Sequence, residues 1–348
     1  MRRRHAPDGI AVSLLLLALL GSGGCWRAEP EPLVPKPVAP PVLPDSGIAA
    51  PPPPQGFKDH DAAIAAVMTG DVKLITLPTS IPETVNETKD IEYGNTGGHS
   101  LLLDLYLPKN AAKPVPGLIL LHGGGWESGR RKHCLYYCLH FAQRGYATAT
   151  ISYRLSDEAE FPAPVQDVKC AVRWMRANAA TYGIDPNRIA LVGGSAGGHL
   201  AMMAAYTSDL PKFEGNGGHA NASSRVQAVV NLYGPSDLTT PQAREADAVR
   251  KFIGAAYWRA PERYAEASPL AYVTPDDPPP LILHGTVDEM VPIQQSDALA
   301  ARLAECGVPV VYDRIEGWPH MMDAAEVVNE RCRFFMDAFL DRYLRQTD

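Results

Sequence analysis

The sequence has 348 residues, 46% of them hydrophobic and 20% charged, which is the make-up of a globular protein with a sizeable core. A net charge of −7, with no basic run interleaved with aromatics, gives no reason to expect nucleic-acid binding and favours a small, neutral substrate. No internal repeat is visible.

The chain opens with Arg2-Arg3-Arg4 and then an apolar run of eleven residues, Ile10 to Leu20, too short to span a bilayer. Gly21-Ser22-Gly23-Gly24 place small residues ahead of Cys25. The pattern predicts an export signal over residues 1–24. A cysteine in this setting resembles the cleavage site of bacterial lipoproteins, which implies that Cys25 becomes a lipidated N-terminus. Ser22 departs from the aliphatic residue usual three before that cysteine, so ordinary cleavage nearby stands as the alternative. From Ala28 to Pro54, eleven of 27 residues are proline, a composition that forms neither helix nor sheet. Residues 25–56 are therefore expected to be an extended linker behind a lipid anchor, with the catalytic domain over 57–348. The expected location is exported, either held to a membrane or free in the periplasm or medium.

A short helix is expected over 61–69. Thr84 to Tyr93 and Leu101 to Leu107 read as paired strands joined by a turn over Gly94 to Gly98. Strands near 117–121, 146–152, 188–193, 226–231, 280–284 and 309–315 then alternate with helices near 131–144, 163–181, 197–207, 293–305 and 324–344. Such alternation predicts a mainly parallel central sheet with helices on both faces, the antiparallel pair lying at one edge. Ser208 to Ser224 is glycine-rich and polar, as in a surface loop. Asp237 to Tyr272 holds Phe252, Tyr257, Trp258, Tyr264 and Tyr272 and is expected to form a small helical lid, or to pack its aromatics on the outer core.

Four places along this framework carry chemistry. The strand Pro116 to Leu121 runs into His122-Gly123-Gly124-Gly125-Trp126, where side-chain-free backbone can approach a substrate. The N–H groups of Gly124 and Gly125, with that of Ala196, would form an oxyanion hole, and His122 would support the loop. Ile189 to Val192 leads into Gly193-Gly194-Ser195-Ala196-Gly197 and a helix, so Ser195 stands at the apex of a strand–turn–helix elbow in the G-x-S-x-G pattern. Leu281 to Leu283 ends in His284-Gly285-Thr286-Val287-Asp288, and Val310 to Tyr312 is followed by Gly317-Trp318-Pro319-His320. The order Ser195, Asp288, His320 is that of a triad in which His320 takes the serine proton and Asp288 fixes the imidazole.

Six cysteines are present, and with Cys25 lipidated the remaining five, Cys134, Cys138, Cys170, Cys306 and Cys332, cannot all pair within the chain. Cys134 and Cys138 share a face of the expected helix, but only His133 and His140 lie near enough in sequence to complete a metal site. Buried thiols are favoured, and neither metal nor cofactor is expected.

The chain resembles α/β-hydrolase carboxylesterases of the hormone-sensitive-lipase-like and bacterial feruloyl-esterase-like groups. The matching motifs are His122 to Trp126, Ser152 to Leu155, Phe161 through Asp167, Gly193 to Leu200, His284 to Pro292 and Gly317 to His320, within roughly 85–344. Gly194 stands where the lipase-like group usually has an acidic residue, which tilts the resemblance to the feruloyl-esterase side. The resemblance implies hydrolysis of short acyl esters, acetyl or feruloyl, on small molecules or polysaccharides through an acyl-enzyme. A prolyl-oligopeptidase-type peptidase shares the triad order, but only about 60 residues lie between the proline-rich spacer and the glycine-run strand, too few for the propeller such enzymes usually carry. A catalytically silent binding protein of this fold is the other alternative, and such proteins usually lack a triad member.

Overall fold

In a computed structural model, residues 50–345 apart from 113 and 209 are described. The export signal, Cys25 and the spacer up to residue 49 lie outside the described residues.

Eight strands form one sheet: β1 Val85–Thr96, β2 His99–Pro108, β3 Val115–Leu121, β4 Ala147–Ile151, β5 Ile184–Gly194, β6 Ala228–Leu232, β7 Pro280–Gly285 and β8 Val311–Ile315. Their order is β1-β2-β4-β3-β5-β6-β7-β8, with β2 antiparallel to both neighbours and every later pairing parallel. This is the expected α/β-hydrolase sheet. The turn joining β1 to β2 is shorter than predicted. Gly94 and Asn95 read as turn residues, yet they pair with Leu101 and Ser100, leaving Gly97-Gly98 to reverse the chain.

Parallel strands buried on both faces need apolar side chains pointing both ways, and β3 is buried at all seven positions. Successive residues divide between two cores. Ile119, Leu191, Val229 and Ile282 face one, while Leu118, Leu120, Val192, Val230 and Leu283 face the other. The first core is covered by α3 Ala163–Ala177, α5 Ala196–Tyr206 and α9 Gln294–Glu305, through residues such as Val168, Leu200 and Leu303. The second is covered by α2 Leu135–Gln143 and α10 Glu326–Leu344, through Phe141, Val328, Phe335 and Phe339.

Two predicted helices are divided. The segment expected over 131–144 begins as a 3-10 turn, Arg131–Cys134, before α2. The segment expected over 163–181 breaks at Asn178, whose side-chain amide donates to Trp174 O at 2.9 Å and closes α3. A single turn, α4 Ala179–Tyr182, follows. Cys134 and Cys138 thus sit in different elements but share a core, and the five described cysteines are free thiols. Burial pushes the Cys134 thiol up to about 12. Among the described residues no group of three or more His, Cys, Asp or Glu is placed to hold a metal ion.

The loop over 208–224 is more tightly held than its polarity suggests. Phe213 is buried, and the Glu214 carboxylate pairs with Lys169 at 2.8 Å and Arg173 at 2.6 Å, both on α3. Between β6 and β7 the expected helical insertion is present as α6 Pro241–Glu245, α7 Asp247–Ile253, α8 Pro261–Glu266 and a 3-10 turn. Its aromatics point mostly inward: Phe252 and Tyr264 are fully buried, and Trp258 stands out at 75% exposure. Ahead of α1 His60–Thr69, the end of the proline-rich segment is seated on the domain. Phe57 N–H donates to Gly317 O at 2.8 Å, its ring packs edge-on to Trp318, and Arg331 donates to Pro51 O. That contact bears on the loop that ends at His320.

Candidate active site

The elbow after β5 follows from close backbone packing. A Cβ on Gly193 would stand 2.2 Å from Gly197 O, and one on Gly197 would stand 2.3 Å from Leu121 O, so both glycines of G-x-S-x-G are required by contact. Between them Ser195 adopts φ 55°, ψ −125°, a conformation an L-residue holds only under restraint, at about 1–3 kcal/mol. Ser195 N–H donating to Leu232 O at 2.8 Å provides part of that restraint. Ser195 precedes the first turn of α5, whose dipole and free N–H groups favour negative charge nearby. The glycine that departs from the lipase-like pattern, Gly194, stands against Tyr233, whose hydroxyl would lie 3.2 Å from an added Cβ.

Ser195, Asp288 and His320, drawn from three strand ends, meet in one line. Ser195 Oγ lies 3.0 Å from His320 Nε2, and His320 Nδ1 lies 2.6 Å from Asp288 Oδ2. Asp288 Oδ1 accepts from Met290 N–H and Val291 N–H, each at 2.9 Å. The carboxylate on His320 is thus that of Asp288, while Asp237 accepts from Thr239 and Glu289 is exposed. Burial works against a charged Asp288, but His320 and His284 outweigh it and hold the carboxyl below the usual carboxylate range.

Above the serine, the glycine run is bent by positive φ at Gly124 (110°), Gly125 (60°) and Trp126 (60°). Gly124 O is occupied by Glu127 N–H at 3.2 Å and by Ser128 N–H at 3.0 Å. Among the described residues no acceptor is found for the N–H groups of Gly124, Gly125 or Ala196. A Cβ at Gly124 would meet Ser128 O at 2.3 Å, so only glycine fits. His122 is buried and stacks on Tyr153 at 4.4 Å, and Tyr153 donates to His122 O at 2.9 Å. Burial lowers its pKa to about 4, which makes it a neutral prop for the loop.

Several supporting residues were not foreseen. Trp126 donates from Nε1 to His199 Nδ1 at 3.2 Å and stacks on Phe252 at 4.6 Å, so the insertion is tied to the glycine loop. Tyr233 packs edge-on against the His320 ring at 4.6 Å. The Tyr233 hydroxyl donates to Asp323 Oδ1 at 2.6 Å, and Tyr137 donates to Asp323 Oδ2 at 2.9 Å. Burial raises the Asp323 carboxyl above its ordinary range despite these bonds. His284 lies behind Asp288, its Nε2 3.1 Å from Asp288 Oδ2. In sequence, the four-residue spacing of His284 and Asp288 after a strand end was the available signal.

The BD-FAE family model matches residues 103–303. Esterase LipQ of Mycobacterium tuberculosis is 34% identical over 276 residues, covering 77% of this chain and 65% of its own length. Esterase LipC of the same organism is 36% identical over 230 residues, 64% of this chain and 57% of its own length. The chain thus spans less than two thirds of these curated relatives. Among solved structures, a truncated carbohydrate esterase from gut microbiota superposes with a TM-score of 0.65 at 28% identity, covering 75% of this chain and 97% of that one. Native esterase 2 of Thermogutta terrifontis gives 0.64 at 25% identity, covering 78% and 98%.

Proposed function

The chain belongs to the BD-FAE family, and from that premise we propose that it is a serine carboxylic-ester hydrolase acting on short acyl esters of carbohydrates. The observation that carries the reading is the unbroken line Ser195–His320–Asp288 beside the glycine loop, where a Cβ on Gly123 would lie 3.2 Å from Ser195 Cβ and where, among the described residues, the N–H groups of Gly124, Gly125 and Ala196 have no acceptor. His320 Nε2 takes the Ser195 proton as Oγ bonds to the ester carbonyl carbon. The charge developing on the carbonyl oxygen is met by Gly124, Gly125 and Ala196 N–H, each donor contributing about 2.7–4 kcal/mol to the transition state. Collapse breaks the bond to the alcohol oxygen, which receives the proton from His320. Water then enters by the same route and releases the acid. Asp288 stabilises the imidazolium throughout.

Two observations favour a small acyl group. A Cβ at Gly125 would lie 3.2 Å from Ala248 Cβ, which places α7 directly over the glycine loop. Phe252, on the same helix, stacks on Trp126. For the alcohol, support comes from the gut-microbiota carbohydrate esterase and from a bifunctional GH43-CE protein of Bacteroides eggerthii, 29% identical. A panel of p-nitrophenyl esters from acetate to palmitate, run beside acetylated xylan and a feruloyl ester, tests the assignment. Highest kcat/KM on acetate to butyrate, with acid released from the polysaccharide, is the expected result. A preference for palmitate, or cleavage of peptides alone, overturns it.

We further propose that the mature protein is exported and held to a membrane through lipid on Cys25, as the charged start, apolar run and small residues before that cysteine suggest. Each buried CH₂ of an acyl chain contributes about 0.8 kcal/mol, so two or three chains anchor firmly. Mass spectrometry of the mature N-terminus should find an acylated Cys25; an unmodified N-terminus refutes the tether.

A further inference from the structure

The Asp288 carboxylate serves two histidines. Oδ2 faces His320 Nδ1 at 2.6 Å on one side and His284 Nε2 at 3.1 Å on the other. His284 leaves β7 beside the strand end, and its side chain and that of Asp288 are fully shielded from solvent. Its Nε2 also lies 2.9 Å from Val291 O, while Nδ1 lies 2.7 Å from the buried Ser296 Oγ at the start of α9. A carboxylate oxygen and a carbonyl oxygen both facing Nε2 accept and cannot donate, so the neutral ring carries its proton there. Nδ1 is then the bare nitrogen and accepts from the Ser296 hydroxyl.

We propose that His284 is a positioning residue for ester hydrolysis: it clamps Asp288 toward His320 and tempers the charge that Asp288 presents to it. The proposal rests on the esterase reading above. With His284 in place, the carboxylate takes four N–H donors, two backbone and two imidazole, so rotation about its Cβ–Cγ bond would break several of them at once. The charge argument has a definite sign. A donor at Oδ2 draws electron density from the same oxygen that stabilises the His320 imidazolium. Without that donor Oδ2 attracts the imidazolium more strongly, and His320 stays protonated, and so unable to act as a base, up to a higher pH. The other titratable groups facing this set are Tyr233, against the His320 ring, and Asp323 behind it, joined to Tyr137. None of these three bonds to His284, so they remain in place when His284 is changed.

His284→Met fills the space without a donor, whereas His284→Gln can still donate to Oδ2 and accept from Ser296. The Met variant should lose about 10–100-fold in kcat with KM nearly unchanged. The acid limb of its kcat/KM profile should move to higher pH by about half a unit or more. The Gln variant should return the limb toward its wild-type position. Superimposable wild-type and Met profiles overturn the proposal, because a purely structural loss lowers the rate without moving the limb. A wild-type measurement covers the case in which the Met variant does not fold. In ¹⁵N-imidazole spectra taken across the pH range of the rate profile, the neutral ring of His284 should carry its proton on Nε2, and that resonance should respond to the protonation of His320. A neutral ring with its proton on Nδ1, or a resonance that ignores His320, overturns the proposal. Loss of all ester turnover in the wild-type protein would instead refute the esterase reading and leave the spectra to decide the His284 contact.

Discussion

Replacing Asp288 by Asn changes almost no volume and yet should disable the site, for a reason fixed by the surrounding donors. Oδ1 is held by two backbone N–H groups at 2.9 Å, and these cannot reverse their polarity. If the Asn amide turned its NH₂ toward them, both N–H donors would lose their partner, at about 1–3 kcal/mol for the buried one of Val291 and less for the part-buried one of Met290. His284 Nε2–H, which also faces Oδ2, keeps Val291 O as an acceptor at 2.9 Å, so the amide oxygen stays on the backbone side and the NH₂ takes the place of Oδ2, 2.6 Å from His320 Nδ1. His320 must then accept at Nδ1, so its neutral form carries the proton on Nε2, where it cannot take one from Ser195. A tautomer error of this kind lowers kcat by about 10⁴-fold, or about 5 kcal/mol of barrier. Steady-state hydrolysis of p-nitrophenyl acetate near neutral pH reads the rate, and ¹⁵N spectra of His320 read the tautomer. A loss of less than about tenfold, or a large loss with His320 still protonated on Nδ1, would refute the reasoning.

Gly124→Ala puts a Cβ about 2.3 Å from Ser128 O at φ 110°, so it should lower both Tm and kcat, the latter by about 10²-fold or more; unchanged kinetics would remove Gly124 from the oxyanion site. Phe252→Ala opens a cavity beside Trp126 and should destabilise by about 3–5 kcal/mol in denaturant titration while raising KM; wild-type stability would contradict the stacked contact. Burial lowers His199 from 6.5 to about 4, so below pH 6.5 the unfolded chain binds the proton first and stability falls toward pH 4. His199→Gln, which can still accept from Trp126 and donate to Ala267 O, should reduce the slope of stability against pH in that window by up to about 1.4 kcal/mol per unit; identical slopes would place the lost stability elsewhere.

The core strands and the three residues at their ends were legible because their signals are local. Continuous apolar runs mark buried parallel strands, and glycines around Ser195 and after His122 mark backbone that must pass close to other backbone. Residues that act across the sheet left no such mark. Tyr233 and Asp323 are ninety positions apart and become a pair only once β6 and the His320 loop are neighbours. For Phe252 and Tyr264 lid and outer core both stood open, because composition cannot say which way a side chain faces, and both point into the core. Asn178 ended α3 early through a side-chain bond to Trp174 O that helical periodicity does not register. Glu214 likewise drew a glycine-rich loop onto α3 through Lys169 and Arg173, ion pairs that need the third dimension to exist.

The identity of the acyl carrier is read most directly by covalent trapping. The intact protein is treated with an organophosphonate that mimics the tetrahedral intermediate, digested, and its peptides mapped by mass spectrometry. A single adduct on Ser195, abolished in Ser195→Ala together with about 10⁶-fold of ester turnover, is the predicted result. An adduct on another residue, or turnover that survives in Ser195→Ala, would contradict it.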